Sequence, residues 1–245
     1  MRRRIPLSMA ALLAALPATG QPPKKLENLQ YFPKDISRER LVQRMRGFSF
    51  ALGVRCQHCH SGGDGVSLEG VVFSSDDKPA KGKARAMLRM VDQINTTLLA
   101  QVPDRAQPAV TVDCVTCHRG LPLPKTLQTT LMEVIAKEGA PAAVARYRQL
   151  RQDTMPSGRY NFGEWEVNEL ARRLSESGDT ASAIAMLEMN AEFYPKSADI
   201  DFALAELHRA RGERERAIAR YEAVLAKNPA WERARQRLQE LREKP

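Results

Sequence analysis

One pentapeptide pattern occurs twice in this chain and constrains it more than any other feature: Cys-x-x-Cys-His, as Cys56-Gln57-His58-Cys59-His60 and again as Cys114-Val115-Thr116-Cys117-His118. The chain has four cysteines, and the two motifs use all of them. Two thiols separated by two residues, with an imidazole directly after the second, are what covalent c-type haem attachment needs. The thiols bond the vinyl groups and the adjacent histidine binds iron. Zinc held by two Cys-x-x-Cys pairs needs only four ligands, but it leaves the histidine after each pair unexplained. A thioredoxin-like redox motif needs a strand–helix context, whereas the flanks here have helical spacing. Disulfides across each two-residue gap would be a double coincidence. The prediction is two covalently bound haem c groups, one on Cys56 and Cys59 and one on Cys114 and Cys117, with His60 and His118 as proximal iron ligands.

The N-terminus supports that chemistry. Arg2-Arg3-Arg4 is a basic start, Ile5 to Ala18 is a short apolar stretch, and Ala18-Thr19-Gly20 offers small residues for cleavage. Residues 1–20 therefore read as a secretory signal peptide. The stretch is too short, and too broken by Pro6 and Pro17, to span a bilayer. A periplasmic protein, or one held peripherally on the membrane, is expected. The formal charge of +9 does not indicate nucleic-acid binding, because of where it sits. Residues 21–126 hold 16 Lys/Arg against 10 Asp/Glu, while residues 127–245 hold 19 against 19. The excess lies on the segment with the two motifs, where haem propionates would offset it. Arg55, Arg89 and Arg119 are candidate propionate partners, since guanidinium suits carboxylate geometry.

Hydrophobic spacing predicts an all-α chain in two parts. Residues 21–36 are rich in proline and lysine and should be extended. Ser37 can cap a helix from Arg38, whose face is Leu41, Met45, Phe48 and Leu52 and whose stop is Gly53. Ser61 to Gly65 reads as a loop. A second helix covers about Lys81 to Leu99, with Ala84, Met87, Val91, Ile94 and Leu98 on one side. Pro103 and Pro108 interrupt the chain before the second motif, and Leu121-Pro122-Leu123-Pro124 forms a stiff linker. Residues 21–126 thus form a haem domain with little sheet, and residues 127–245 a helical one. In the latter a 34-residue period pairs Leu170 with Leu204, Ala171 with Ala205, Gly178 with Gly212, Ala183 with Ala217, Leu187 with Tyr221, and Pro195 with Pro229. Period and residue types resemble the tetratricopeptide repeat, an α-solenoid unit, over about 163–196 and 197–230. Helices near Leu127–Lys137 and Pro141–Gln152 should cover one end, and Trp231–Leu241 the other. Such a solenoid either docks a redox partner or only spaces the haem domain.

The ligand opposite each proximal histidine separates electron transfer from catalysis. In residues 21–126 the one other histidine is His58, confined within its own motif, so bis-histidine ligation has no local candidate. Met45, Met87 and Met90 remain. Met45 lies eleven residues before Cys56. Seven residues of helix from Met45 to Leu52 rise roughly 10 Å before the chain turns back. Gly47 would let backbone approach closely. Met87 shares the stripe of Val91 and Ile94, and Met90 lies about one helical step off it.

These segments resemble the cytochrome subunit of photosynthetic reaction centres. The matching pieces are Met45 with Leu52-Gly53-Val54-Arg55-Cys56, then Ser75-Asp76-Asp77-Lys78-Pro79 with Ala84 to Met90 and Ile94-Asn95-Thr96, then Cys114 to Gly120 followed by Leu121-Pro122-Leu123-Pro124. The resemblance covers about residues 26–125 and implies Met45 and Met87 as axial ligands. The best-known members hold four haems, so this chain resembles half of one, and it has no counterpart of their one histidine distal ligand. The function expected is transfer of single electrons between redox protein partners, with a membrane-bound complex or a reaction centre among them, and no enzyme activity. A dihaem peroxidase-like enzyme, or a haem-based sensor or scaffold using the repeats, would instead need an open haem face.

Overall fold

The computed structural model describes residues 25–243; the expected signal peptide over residues 1–20 lies outside them. The chain is mostly helical and has almost no sheet. By compactness it divides into two units. One holds the residues up to Arg44 together with Cys56–Met90, and the other holds Met45–Arg55 together with everything from Val91 onward.

Helix α1 (Arg38–Leu52) starts where Ser37 can cap it: the Arg40 amide donates to Ser37 Oγ at 3.3 Å. Leu41, Met45, Phe48 and Leu52 form its half-buried face, as their spacing predicts. Gly47 is not on that face. Two residues along a helix is roughly 200° of rotation, so Gly47 points away from Met45, and a Cβ added there meets nothing within 4 Å. The helix ends at Gly53, whose φ of 65° is costly for residues with a Cβ. A close approach adds a second reason for glycine. A Cβ on Gly53 would lie 2.3 Å from the Gly120 carbonyl oxygen, and the Gly120 amide donates to Ala51 O at 2.8 Å. The end of α1 is therefore bonded to the turn just after the second motif.

In the first unit, the segment after the first motif forms a minimal antiparallel ladder, β1 (Ser61–Gly62) with β2 (Val71–Val72), where a loop was expected. Asp76 organises the chain between β2 and the next helix. Its carboxylate accepts from Asn28 Nδ2 at 2.9 Å and Gln30 Nε2 at 3.0 Å, and pairs with Lys81 at 3.1 Å and Arg85 at 2.9 Å. The Arg85 hydrogen bond, then that of Asn28, hold its carboxyl well below the usual carboxylate range.

Helix α2 (Pro79–Gln93) begins two residues before the expected Lys81, because proline fits the first turn, where its missing N–H costs nothing. The path continues to Gln101 but changes geometry: Ile94–Leu98 is a π turn and Leu99–Gln101 a 3-10 turn. Asn95 lies within the π turn. Its Nδ2 donates to Val112 O at 2.7 Å and its Oδ1 accepts from Val112 N at 2.8 Å, closing the proline-rich segment back onto the helix. The expected apolar stripe is split. Ala84, Leu88 and Val91 are half-buried, whereas Met87, Met90 and Leu98 are exposed. The second motif is itself a short helix, α3 (Cys114–His118).

From residue 127 the chain is a stack of helical hairpins: α4 (Leu127–Glu138) with α5 (Ala140–Thr154), α6 (Glu164–Glu176) with α7 (Thr180–Phe193), and α8 (Ala198–Ala210) with α9 (Arg214–Lys227). Helix α10 (Glu232–Glu243) packs on α9. The starts of α8 and α9 lie 34 residues after those of α6 and α7, the period read from the sequence. Ala171, Ala183, Ala205 and Ala217 are all buried, so the helices of each hairpin meet through small side chains. Leu131, Tyr147, Leu170 and Leu187 fill one cluster, into which α4 and α5 also pack; Tyr221, Val224 and Leu238 anchor the next. Within the hairpin of α8 and α9, Asp201 is buried and paired with Arg220 at 2.9 Å and with Lys227.

Two alanine substitutions should move stability in opposite directions. Gly53→Ala meets both a positive φ and a backbone oxygen and should cost about 2 kcal/mol or more. Gly47→Ala lies in open helix and should gain roughly 0.5–1 kcal/mol. Denaturant midpoints of the two variants test this; a Gly53→Ala midpoint at or above wild type would remove the close approach. Asp201→Asn should cost about 1–2 kcal/mol, since it removes the buried carboxylate that Arg220 and Lys227 share while leaving both cations partly solvated.

Candidate cofactor-attachment sites

Both pentapeptides close into a helical turn. In the first, Cys56–His58 is a 3-10 turn, and the Cys56 carbonyl accepts from Cys59 N at 3.2 Å and His60 N at 3.0 Å. The second is the single short helix α3. Its N-cap is Asp113, whose Oδ1 accepts from the Thr116 amide at 3.1 Å while the Asp113 amide donates to Thr116 Oγ1 at 3.1 Å. Arg119 closes it in the left-handed region at φ 48°. In either turn the two cysteines and the histidine stand at i, i+3 and i+4, which is one helical face. Each turn therefore presents two thiols and an imidazole to the same side.

The imidazoles are held differently. His118 Nδ1 lies 2.8 Å from Leu121 O; a carbonyl only accepts, so Nδ1 is the donor and Nε2 is the nitrogen left to ligate. That is the arrangement of a ligating histidine oriented by its other nitrogen. His60 is 8% exposed, and its Nδ1 is buried with no hydrogen-bond partner. The Phe73 ring packs edge-on against it with centroids 5.1 Å apart. Burial, then the charge of Lys81, push the His60 pKa down, partly opposed by the Phe73 backbone, which favours the neutral ring that can donate a lone pair. Lys78 Nζ donates to Gln57 O, and Lys81 Nζ donates to Phe73 O at 2.9 Å and Ser75 O at 2.6 Å. Burial pushes the Cys59 thiol up, and burial followed by the Asp113 charge does the same for Cys114.

The surroundings fit an apolar planar cofactor. In the first unit Leu29 is the buried apolar side chain among the described residues, while Val66, Leu68, Val72, Phe73 and Met87 are exposed. Val102, Val110 and Val115 of the second unit are exposed as well. Among the described residues no three His, Cys, Asp or Glu side chains gather into a metal site.

Met45 is half-buried on α1. Met87 and Met90 are 48% and 47% exposed on α2, so burial does not separate them. Of the candidate propionate partners, Arg55, Arg89 and Arg119 are all exposed. Sequence reasoning missed Arg159, forty residues further on, whose Nε donates to Arg119 O at 3.2 Å and whose guanidinium lies against Gly120. It also missed the Asp113 cap. The Asp-x-x-Thr pattern could have shown the cap, but nothing local in the sequence marks Arg159.

Residues 56–158 match the photosynthetic reaction centre cytochrome C subunit family. The match contains both pentapeptides and continues through α4 and α5, beyond the segment on which the sequence resemblance rested. The chain is also similar to cytochrome c-554 of Chloroflexus aurantiacus, 38% identical over 74 residues. That alignment covers 30% of this chain and 16% of the relative, so only about a sixth of the relative's length is spanned. Among the described residues no helix is long and apolar enough to cross a membrane.

The cap on α3 gives a test that needs no cofactor. In the haem-free chain Asp113→Asn removes a charge that raises the Cys114 pKa, and Asp113→Ala removes the hydrogen-bonded cap as well. Alkylation of Cys114 at neutral pH should quicken in the first and quicken further in the second, read by mass spectrometry of the labelled peptide. Equal rates in all three proteins would show that Asp113 neither caps the turn nor acts on the thiol.

Proposed function

We propose that this chain is an exported, periplasmic dihaem c-type cytochrome that passes single electrons between redox partners and is not an enzyme. The observation that carries the reading is the shared geometry of the two pentapeptides, each setting two thiols and an imidazole on one face of a turn. Residues 21–126 form the dihaem module and residues 127–245 the helical one. Bound haem supplies a one-electron iron centre at each site. Cys56 and Cys59 would hold the first through thioethers, and Cys114 and Cys117 the second. His60 and His118 give the proximal nitrogens, the latter oriented by Leu121 O.

By the family resemblance, Met45 and Met87 would supply the second iron ligand at each site. A thioether there closes the iron to small ligands and raises its potential. A methionine thioether neither gives nor takes a proton, which favours conduction over peroxide chemistry. The family match supports a cytochrome reading of residues 56–158, and its name points to a photosynthetic reaction centre as one membrane-bound partner class. The hairpins over 163–196 and 197–230, tetratricopeptide-like in period, are assigned to docking a redox partner.

Purified holoprotein should retain peroxidase-active staining on denaturing gels and lose it when both cysteine pairs are replaced by alanine. Optical and EPR spectra should show two low-spin haems that do not bind carbon monoxide; a high-spin, CO-binding haem would sink the closed-site assignment. Met45→Ala and Met87→Ala should each lower the potential of one haem. A redox titration unchanged in either variant removes that methionine from the ligand set.

A further inference from the structure

The turn after the second pentapeptide is held by distant parts of the chain. Helix α3 is five residues long, too short to keep its own end in place. Its exit passes through two successive left-handed residues, Arg119 at φ 48° and Gly120 at φ 79°. The first of these has a Cβ, so the path through it has to be held by its surroundings. At the centre of that path is the peptide plane joining Arg119 to Gly120, and both of its polar ends are bonded. The Gly120 amide donates to Ala51 O at 2.8 Å, and the Arg119 carbonyl accepts from Arg159 Nε at 3.2 Å. A plane bonded at one end can still rock about the chain. Bonded at both, it keeps one orientation.

That plane stands between His118 and the carbonyl that orients it. His118 Nδ1 lies 2.8 Å from Leu121 O, and the Leu121 amide donates back to His118 O at 2.8 Å. The loop closed by these two bonds contains Arg119 and Gly120, so rotation of their shared plane moves Leu121 O relative to the imidazole. The Arg159 guanidinium lies over Gly120, where an added Cβ would stand 2.9 Å from Nη2. Its base is fixed by packing. The next residue, Tyr160, is buried in the helical core and sits edge-on to Phe162, with centroids 6.2 Å apart. All of these residues belong to the second compact unit. The family match ends at residue 158, so it does not supply Arg159.

We propose that Arg159 is a positioning residue for the second haem site: by holding the Arg119 carbonyl it keeps Leu121 O where it accepts from His118 Nδ1. The proposal rests on the cytochrome reading above and gives a residue beyond the haem module a part in it. A hydrogen bond from Nδ1–H makes Nε2 a stronger donor to a metal. A stronger donor favours the oxidised, more positive iron, so the clamp lowers the potential of that haem and its loosening raises it. The charge of Arg159 acts in the opposite sense, since a nearby cation favours the reduced, less positive iron. Truncating the side chain would mix the two effects, so the hydrogen bond and the charge have to be removed separately.

Two neutral variants of the full-length holoprotein do this. Arg159→Gln removes the charge but keeps an N–H donor at the position of Nε, whereas Arg159→Met keeps the length and removes both. By potentiometry one haem should be higher in Arg159→Met than in Arg159→Gln, by about threefold in its reduction equilibrium, which is about 28 mV at about 59 mV per tenfold. The other haem should have the same potential in both. In the reduced, diamagnetic protein, NMR should show the His118 Nδ1 proton and the Gly120 amide exchanging several-fold faster in Arg159→Met, which also assigns the shifted haem. Equal potentials and equal exchange in the two variants overturn the proposal, because Arg159 then acts through charge alone. A lower melting temperature in Arg159→Met with equal potentials overturns it too, since the contact is then structural only. So does a potential difference with unchanged His118 Nδ1 exchange, because the effect then bypasses the imidazole. Gly120 exchange that follows the donor in a chain that takes up no haem supports the clamp and counts against the cytochrome reading instead.

Discussion

The segment around the two motifs has to be ordered without the means by which small domains are usually ordered. Between residues 25 and 126, Leu29 and Ala51 are the buried apolar side chains among the described residues. Burial of apolar area stabilises a fold by about 25 cal/mol per Å², and this segment supplies little of it. Directional polar contacts do the positioning instead. Asp76 gathers Asn28, Gln30, Lys81 and Arg85; Asn95 pins Val112 through both ends of its amide; Asp113 caps the turn that carries Cys114. The Gly120 amide donates to Ala51 O. Polar contacts of this kind contribute only about 1 kcal/mol each, so they fix geometry more than they stabilise it. Covalently attached haem, as the cytochrome family match implies, would supply the apolar mass that such a scaffold omits.

The helical half is the reverse case, and the difference explains what could be read from the sequence. Its landmarks are local. Gly178 and Gly212 end helices at positive φ, Asp179 and Glu213 sit at the next helix starts, and Pro195 and Pro229 close each unit. Each recurs after 34 residues because each hairpin has to bury the same kind of face against the next. The same locality made α1 legible from Ser37 to Gly53. What stayed hidden is long-range: the β1–β2 ladder, the π turn tied by Asn95 to Val112, and Arg159 reaching the turn after His118. A side chain that bonds across seventeen or forty residues leaves no periodic trace.

The candidate ligand methionines mark the limit between these regimes. Met45 lies on a helix whose half-buried face can be counted from the sequence, and the structure places it there. Met87 and Met90 are three residues apart on a helix with no buried residue, and both leave about half their surface in water. Periodicity favours Met87 only if α2 has a single apolar face. The structure divides that face between Ala84, Leu88 and Val91 on one side and Met87, Met90 and Leu98 on the other. Position in the helix therefore does not choose between the two thioethers, and the family resemblance carries Met87.

Helix α1 concentrates the functional argument because one short element meets two requirements. Its half-buried face carries Met45, and its C-terminal turn is bonded to the turn after His118 through the Gly120 amide and Ala51 O. Gly53 permits that approach, since a Cβ there would lie 2.3 Å from the Gly120 carbonyl oxygen. Under the electron-transfer reading, the helix with a candidate iron ligand is thus held by backbone contact to the turn that follows the second pentapeptide. Backbone contacts of this kind fix register, because any residue larger than glycine at position 53 would force the two turns apart.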